Sequence, residues 1–249
     1  MWMLLHGFTG APRIWSRVLT RAQLDPPPLI PTLMGHGRTG QPRDAESFES
    51  EVARLLSVAS GADRPRLLCG YSMGARVALG LLAHQPQLFD GALLIGVHPG
   101  LTDEAVREER REVDASSARS LREKGLAAFV AAWEELPLFA SQREVSREAL
   151  AEQRDIRLAQ DAEGLARALE VLGLAEMPDY RAAMASLEIP ITLMTGSLDA
   201  KFSGIASALA SENVRIDVDV VDGVGHNVVL EAPTAVAAAL QRVEGRAGG

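Results

Sequence analysis

The chain has 249 residues, 47% hydrophobic and 23% charged, enough for one large globular domain with a full core and room for an insertion. A net charge of −8 excludes the basic surface that non-specific nucleic-acid binding needs, yet leaves room for an anionic substrate met by a local group of arginines. Five histidines and one cysteine show no metal-ligand spacing and permit no disulfide within the chain.

No apolar run approaches the length of about 18 residues that a membrane span requires, and residues 1–5 lack the basic start of a signal peptide. The expected setting is the cytoplasm, with no membrane partner. Residues 1–5 read as a strand running into the glycine-rich turn His6-Gly7-Phe8-Thr9-Gly10. A first helix is expected over 15–24, broken by Asp25-Pro26-Pro27-Pro28, then a short strand over 29–33 and a tight loop at Met34-Gly35-His36-Gly37-Arg38. Residues 47–59 form a second helix, with Val52, Leu55, Leu56 and Ala59 on one face.

The next stretch organises the rest. Leu67, Leu68 and Cys69 form a short apolar strand that stops at Gly70-Tyr71-Ser72-Met73-Gly74, and a helical pattern follows. A G-x-S-x-G between a strand and a helix is a nucleophile elbow: the turn exposes the Ser72 hydroxyl, and small residues two before and two after admit close backbone approach. The helix N-terminus behind the serine favours developing negative charge. Cys69, in the strand, is expected to be a small core residue.

A buried strand at 91–97 completes a β, α, β, α, β, α, β alternation, which predicts a mostly parallel, doubly wound sheet with helices on both faces. From 98 to 187 the pattern is charged and helix-forming, with Leu121, Leu126, Phe129, Val130 and Trp133 at three- and four-residue steps. Four or five helices are expected there, as a cap. Strands resume at 189–195 and at 214–221, the latter an edge strand with alternating Asp217 and Asp219, before a closing helix at 235–243 and a frayed tail at 245–249. The expected division is a core of 1–100 and 188–249 and a helical cap of 101–187.

Ser72, Asp199 and His226 each stand at the end of an expected strand, in the order Ser…Asp…His of the α/β-hydrolase fold. In open α/β sheets the carboxyl ends of strands line the ligand crevice, so residues far apart in sequence converge there. His226 would take the Ser72 proton and Asp199 would orient the imidazole. Asp217 and Asp219 lie inside a strand and Asp222 comes too soon before His226, so Asp199 is the expected acid. His36 precedes the serine, the wrong order for this fold, and is read as structural. The backbone N–H groups of Phe8 and Met73 would form an oxyanion hole.

The segments L-L-H-G-F-T-G (4–10), G-H-G (35–37), G-Y-S-M-G-A-R (70–76), H-P-G-L (98–101), P-L-F-A (137–140), D-A-K-F (199–202) and G-H-N (225–227) together resemble the menaquinone-pathway 2-succinyl-6-hydroxy-2,4-cyclohexadiene-1-carboxylate synthases, the MenH family. The likeness covers nearly the whole chain. It implies a lyase without cofactor, in which the triad abstracts a proton and pyruvate is eliminated from a succinyl-bearing cyclohexene carboxylate. It also implies that Arg76, Arg110 and Arg157 hold the carboxylates, with Trp133 and Tyr71 at the pocket. Guanidinium forks suit carboxylates because they bind them bidentately and keep their charge when desolvated. The chain departs from the family pattern at Val228–Glu231, which lacks a second histidine, and at Thr32, where an acidic residue is common.

Three readings follow. One is the pyruvate-eliminating lyase acting on a small polycarboxylate as a monomer or weak homo-oligomer. A second is a serine hydrolase of esters or thioesters with Ser72 as covalent nucleophile. A third is a ligand sensor that keeps the fold with little turnover.

Overall fold

A computed structural model describes residues 1–38 and 45–247. Five parallel strands lie side by side in chain order: β1 (Trp2–Leu5), β2 (Leu67–Tyr71), β3 (Gly91–Ile95), β4 (Ile191–Gly196) and β5 (Ile216–Val221). The first four are buried along their whole length, as expected of apolar strands covered on both faces. Side chains alternate between two cores. Leu5, Leu68, Leu94 and Leu193 join one with α2 (Phe48–Ser60) and α3 (Met73–His84). Leu4, Leu67, Cys69, Leu93 and Met194 join the other with α1 (Ser16–Ala22) and α10 (Pro233–Ala247). Cys69 is a buried core residue, as read from the sequence.

The strand expected over 29–33 reduces to a single bridge. Leu29 donates to Trp2 O at 2.8 Å and accepts from Leu4 N at 2.9 Å, and Pro31 has no N–H with which to extend the ladder. That bridge flanks β1 on the side away from β2, so the chain reverses direction across the sheet between β1 and β2. The carboxyl ends of these two strands therefore frame a crevice at a topological switch point.

The first helix starts as a 3-10 turn over Pro12–Trp15 and continues as α1, ending at Gln23 with φ of 50°. The tail expected from 245 is helical as far as Ala247, and residues 248–249 lie outside the described residues. Arg242 and Arg246 of α10 pair with Asp219 and Asp217 of β5, which explains both the longer helix and the alternating acids on the edge strand.

Between β3 and β4 run α4 (Glu104–Glu134), a 3-10 stretch over Pro137–Glu144, α5 (Arg147–Leu158), α6 (Ala162–Leu172) and α7 (Arg181–Ala185). Gly125, at φ of 78°, breaks α4 into two helical pieces. Ala118, Leu121 and Phe129 of α4 pack with Leu165, Ala166 and Leu169 of α6 in a small core of their own. Arg122 spans from α4 to Glu163 and Glu170 of α6. α7 turns back onto α3 and α8 (Ala200–Glu212), and its Met184 joins the sheet's core.

Candidate active site

Ser72 sits between β2 and α3 with φ of 54° and ψ of −111°, a backbone conformation costing about 1–3 kcal/mol that its neighbours enforce. A Cβ at Gly70 would lie 2.4 Å from Gly74 O, and one at Gly74 would lie 2.4 Å from both Leu5 O and His6 O. The two glycines are thus required by backbone crowding where α3 crosses the end of β1. Ser72 N donates to Ile95 O at 2.8 Å, which ties the elbow to β3.

His226 follows β5. Its Nε2 lies 3.0 Å from Ser72 Oγ and its Nδ1 lies 2.7 Å from Asp199 Oδ2. Asp199 caps α8, its Oδ1 accepting from Phe202 N at 3.4 Å. Both residues are buried, so water competes little for these bonds. The imidazole is wedged against Gly96, where a Cβ would come within 2.8 Å of Cε1, and against the Phe202 ring at 4.6 Å. Glu231 holds the histidine's loop by accepting from Gly225 N at 2.9 Å and from Asn227 N at 3.2 Å. The competing acids point elsewhere: Asp217 and Asp219 face α10, and Asp222 accepts from Ser197 Oγ. The arrangement can polarise a serine hydroxyl and carry its proton.

Phe8 follows β1, and Met73 opens α3. Among the described residues neither backbone N–H has a hydrogen-bond partner. The turn carrying Phe8 is held by Gly10 N to Gly7 O at 3.0 Å and by His6. Leu33 N donates to His6 Nε2 at 3.2 Å, so the proton sits on Nδ1, which donates to Gly7 O at 2.9 Å. The His36 ring packs edge-on against His6, 4.8 Å between centroids, and its Nδ1 lies 3.0 Å from Met34 O. Burial, with the neighbouring His36, lowers the His6 pKa to about 3, and burial lowers that of His36 to about 4. Both are neutral structural groups, as the sequence order implied for His36.

The candidate carboxylate-binding residues fall into two groups. Arg76, one turn into α3, is buried, and its Nη1 donates to Leu172 O at 2.8 Å. Burial and the nearby charge of Arg110, opposed by Asp114, lower its pKa to about 9. Arg110 itself pairs with Asp114 at 2.9 Å. Arg157 belongs to the other group. It is 4% exposed, pairs with Glu134 at 3.1 Å and lies 5.3 Å from the centre of the Phe139 ring. With Tyr71, Phe8, Phe139 and Asn227 it lines a cavity of about 130 Å³ beside the elbow. Desolvation lowers the Arg157 pKa and raises that of Tyr71. Trp133 stacks on Phe129 at 5.6 Å and meets Phe8 edge-on at 5.2 Å; its buried Nε1 has no partner among the described residues.

Two further side chains stand at the site that sequence reasoning did not assign, His98 and Lys201. His98 Nδ1 accepts from Gly100 N at 3.1 Å. Its pKa is lowered to about 4 by burial and by the charges of Lys201, Arg76, Arg181 and Arg110. The H-P-G-L and D-A-K-F motifs were the available signal. Among the described residues no group of three His, Cys, Asp or Glu side chains is placed to hold a metal, and no helix is long and apolar enough to cross a membrane.

The model of the alpha/beta hydrolase family matches residues 3–239. A protein of Enterobacter sp. (strain 638) named 2-succinyl-6-hydroxy-2,4-cyclohexadiene-1-carboxylate synthase is 36% identical, over 97% of this chain and 91% of its own. A Klebsiella pneumoniae protein of the same name is 31% identical over 97% and 93%. The structure of MenH from S. aureus superposes with a TM-score of 0.93 at 28% identity, covering 100% of this chain and 94% of that one. An esterase from Thermogutta terrifontis, at 22% identity and a TM-score of 0.85, shares the fold. The chain belongs to the MenH family of 2-succinyl-6-hydroxy-2,4-cyclohexadiene-1-carboxylate synthases, within the alpha/beta hydrolases.

Proposed function

We propose that this protein is a carbon–oxygen lyase of menaquinone biosynthesis that eliminates pyruvate from 2-succinyl-5-enolpyruvyl-6-hydroxy-3-cyclohexene-1-carboxylate. His226, oriented by Asp199, takes the Ser72 proton, and the serine oxygen abstracts a proton from a ring carbon of the substrate. The electron pair left on that carbon shifts into the ring. The C–O bond to the enolpyruvyl group breaks with its electron pair leaving on oxygen, and the departing enolate takes up a proton on carbon to become pyruvate. The N–H groups of Phe8 and Met73 face the negative charge that develops on substrate oxygen as the proton leaves. Residues 101–187 act as a cap over a core of 1–100 and 188–249, carrying Arg110, Trp133 and Arg157 to the crevice.

One observation carries this reading over ester hydrolysis. Among the described residues Arg76 is a buried guanidinium whose side chain hydrogen-bonds only a backbone carbonyl, with Arg110 beside it and the nearby Asp114 engaged by Arg110. A buried cation without a carboxylate of its own is costly, and a bound anion offsets that cost. A hydrolase of neutral esters would gain nothing from it. The Ser72–His226 bond serves acylation equally well, so the alternative is a serine esterase or thioesterase.

The test is a coupled assay. An upstream synthase generates the labile intermediate in situ, and pyruvate release and cyclohexadiene absorbance are followed with and without this protein. Acceleration that vanishes in Ser72→Ala supports the lyase. No acceleration, alongside burst hydrolysis of a p-nitrophenyl ester, would replace it with the hydrolase.

A further inference from the structure

The H-P-G-L and D-A-K-F motifs have no task in this mechanism beyond Asp199, yet the fold brings them together beside His226. His98 lies two residues past Gly96, the residue against which the His226 ring rests. Lys201 and Phe202 open α8 directly after Asp199. The Phe202 ring touches both imidazoles, with centroids 4.6 Å from His226 and 6.5 Å from His98.

The chemistry of the cluster is that of an anion site. Because His98 Nδ1 accepts from Gly100 N–H, the proton sits on Nε2, and among the described residues nothing accepts from it. Four cations act on this ring: Lys201, Arg76, Arg181 and Arg110. Asp114 pairs with Arg110 and Asp179 with Arg181, whereas Arg76 and Lys201 have no carboxylate partner among the described residues. Lys201 also sits in the first turn of α8, where the helix dipole opposes a cation, and the one acid at that end, the capping Asp199, is engaged by Phe202 N and by His226. A positive side chain kept against the dipole, next to a neutral N–H donor without an acceptor, has its electrostatics completed by a carboxylate.

We propose that His98 and Lys201 form a further carboxylate-binding position of the substrate site, with His98 Nε2–H donating to one carboxylate oxygen and Lys201 meeting its charge from the rim. The position deepens the polycarboxylate reading above and rests on it. Deprotonated Nδ1 keeps the ring from adding a further charge among the cations, so it acts as a directional donor. Its partner is a carboxylate other than those held by Arg157 and Tyr71, which line the cavity on the β1 side.

The test uses His98→Asn, which keeps an acceptor within reach of Gly100 N–H and removes the distal donor, His98→Gln, which restores a donor at longer reach, and Lys201→Met. In the elimination assay His98→Asn is expected to raise KM about tenfold with kcat little changed, and His98→Gln to recover most of the loss. Lys201→Met, a change at an exposed side chain that the fold does not need, is expected to raise KM about threefold and to flatten its dependence on salt. Unchanged KM in both His98→Asn and Lys201→Met, with the wild type active, overturns the proposal and leaves the lyase standing. If the wild type performs no elimination, calorimetry with propane-1,2,3-tricarboxylate decides instead. Weaker binding of that probe to His98→Asn and to Lys201→Met than to the wild type supports the site, and equal binding to those two variants and the wild type overturns it.

Discussion

The two walls of the crevice are built by different means. On the sheet side, position comes from close approach: Gly70, Gly74 and Gly96 admit contacts that no Cβ could, and β2 and β3, buried on both faces, hold Ser72 and the glycine against which the His226 ring rests. On the cap side, position comes from side chains. Arg110 is held by Asp114, Arg157 by Glu134 and the Phe139 ring, and Trp133 by Phe129 and Phe8, over a small core between α4 and α6. The groups expected to react thus stand on the part that cannot shift without unfolding, and the groups expected to read the substrate stand where exchange is cheap. Substitutions on the two sides should therefore fail differently.

The largest expected effect is chemical. Ser72→Ala should lower kcat for elimination by about a thousandfold or more with the melting temperature little changed, since the hydroxyl adds little to packing; an active variant would break the assignment of the serine. Gly74→Ala comes next and should act on folding: its Cβ meets two carbonyl oxygens at 2.4 Å, for an expected loss of about 3 kcal/mol in urea unfolding. A variant as stable as the parent would show that the elbow has slack.

Acid sharpens the same contrast, because the two strongly desolvated histidines lie beneath the Phe8 turn. The His6 and His36 pKa values fall from 6.5 to about 3 and about 4, so as pH drops below 6.5 the unfolded chain takes up protons that the folded chain refuses. Their contribution is fully present above 6.5 and is lost as pH falls toward those values, at up to about 1.4 kcal/mol per pH unit for each group. Urea midpoints should decline between about pH 6.5 and about pH 4.5; a flat profile there would count against buried neutral imidazoles. The smallest effect belongs to the cap surface. Arg122→Ala breaks pairs with Glu163 and Glu170 that are open to water and should cost less than about 1 kcal/mol, measured by the same unfolding curves.

Much of the site was legible because its constraints are local or ordinal. G-x-S-x-G between a strand and a helix needs only five neighbouring residues, and the order Ser72, Asp199, His226 needs only strand ends to be recognised. Continuous apolar runs such as Leu67–Tyr71 and Gly91–Ile95 announced a covered parallel sheet. The helix at Phe48–Ser60 was visible from its apolar face, and the structure adds its cap, Ser47, whose side chain accepts from Ser50 N. Where local signals competed, reading was poorer. Residues 29–33 have strand composition, but Pro31 leaves one bridge, and α10 runs past Gly245 because ion pairs to β5 hold its last turn.

The sequence by itself determined the fold class, the elbow and the order of the three hydrogen-bonded residues, since periodicity, glycine spacing and chain order are carried by neighbours along the chain. Only the tertiary structure decided that Arg76 stands with Arg110 while Arg157 stands apart with Tyr71, and that His98 and Lys201 both lie against the Phe202 ring beside His226. Those meetings join residues roughly 30 to 100 positions apart, and they depend on sheet register and on which helix face is buried, both settled by packing of the whole chain.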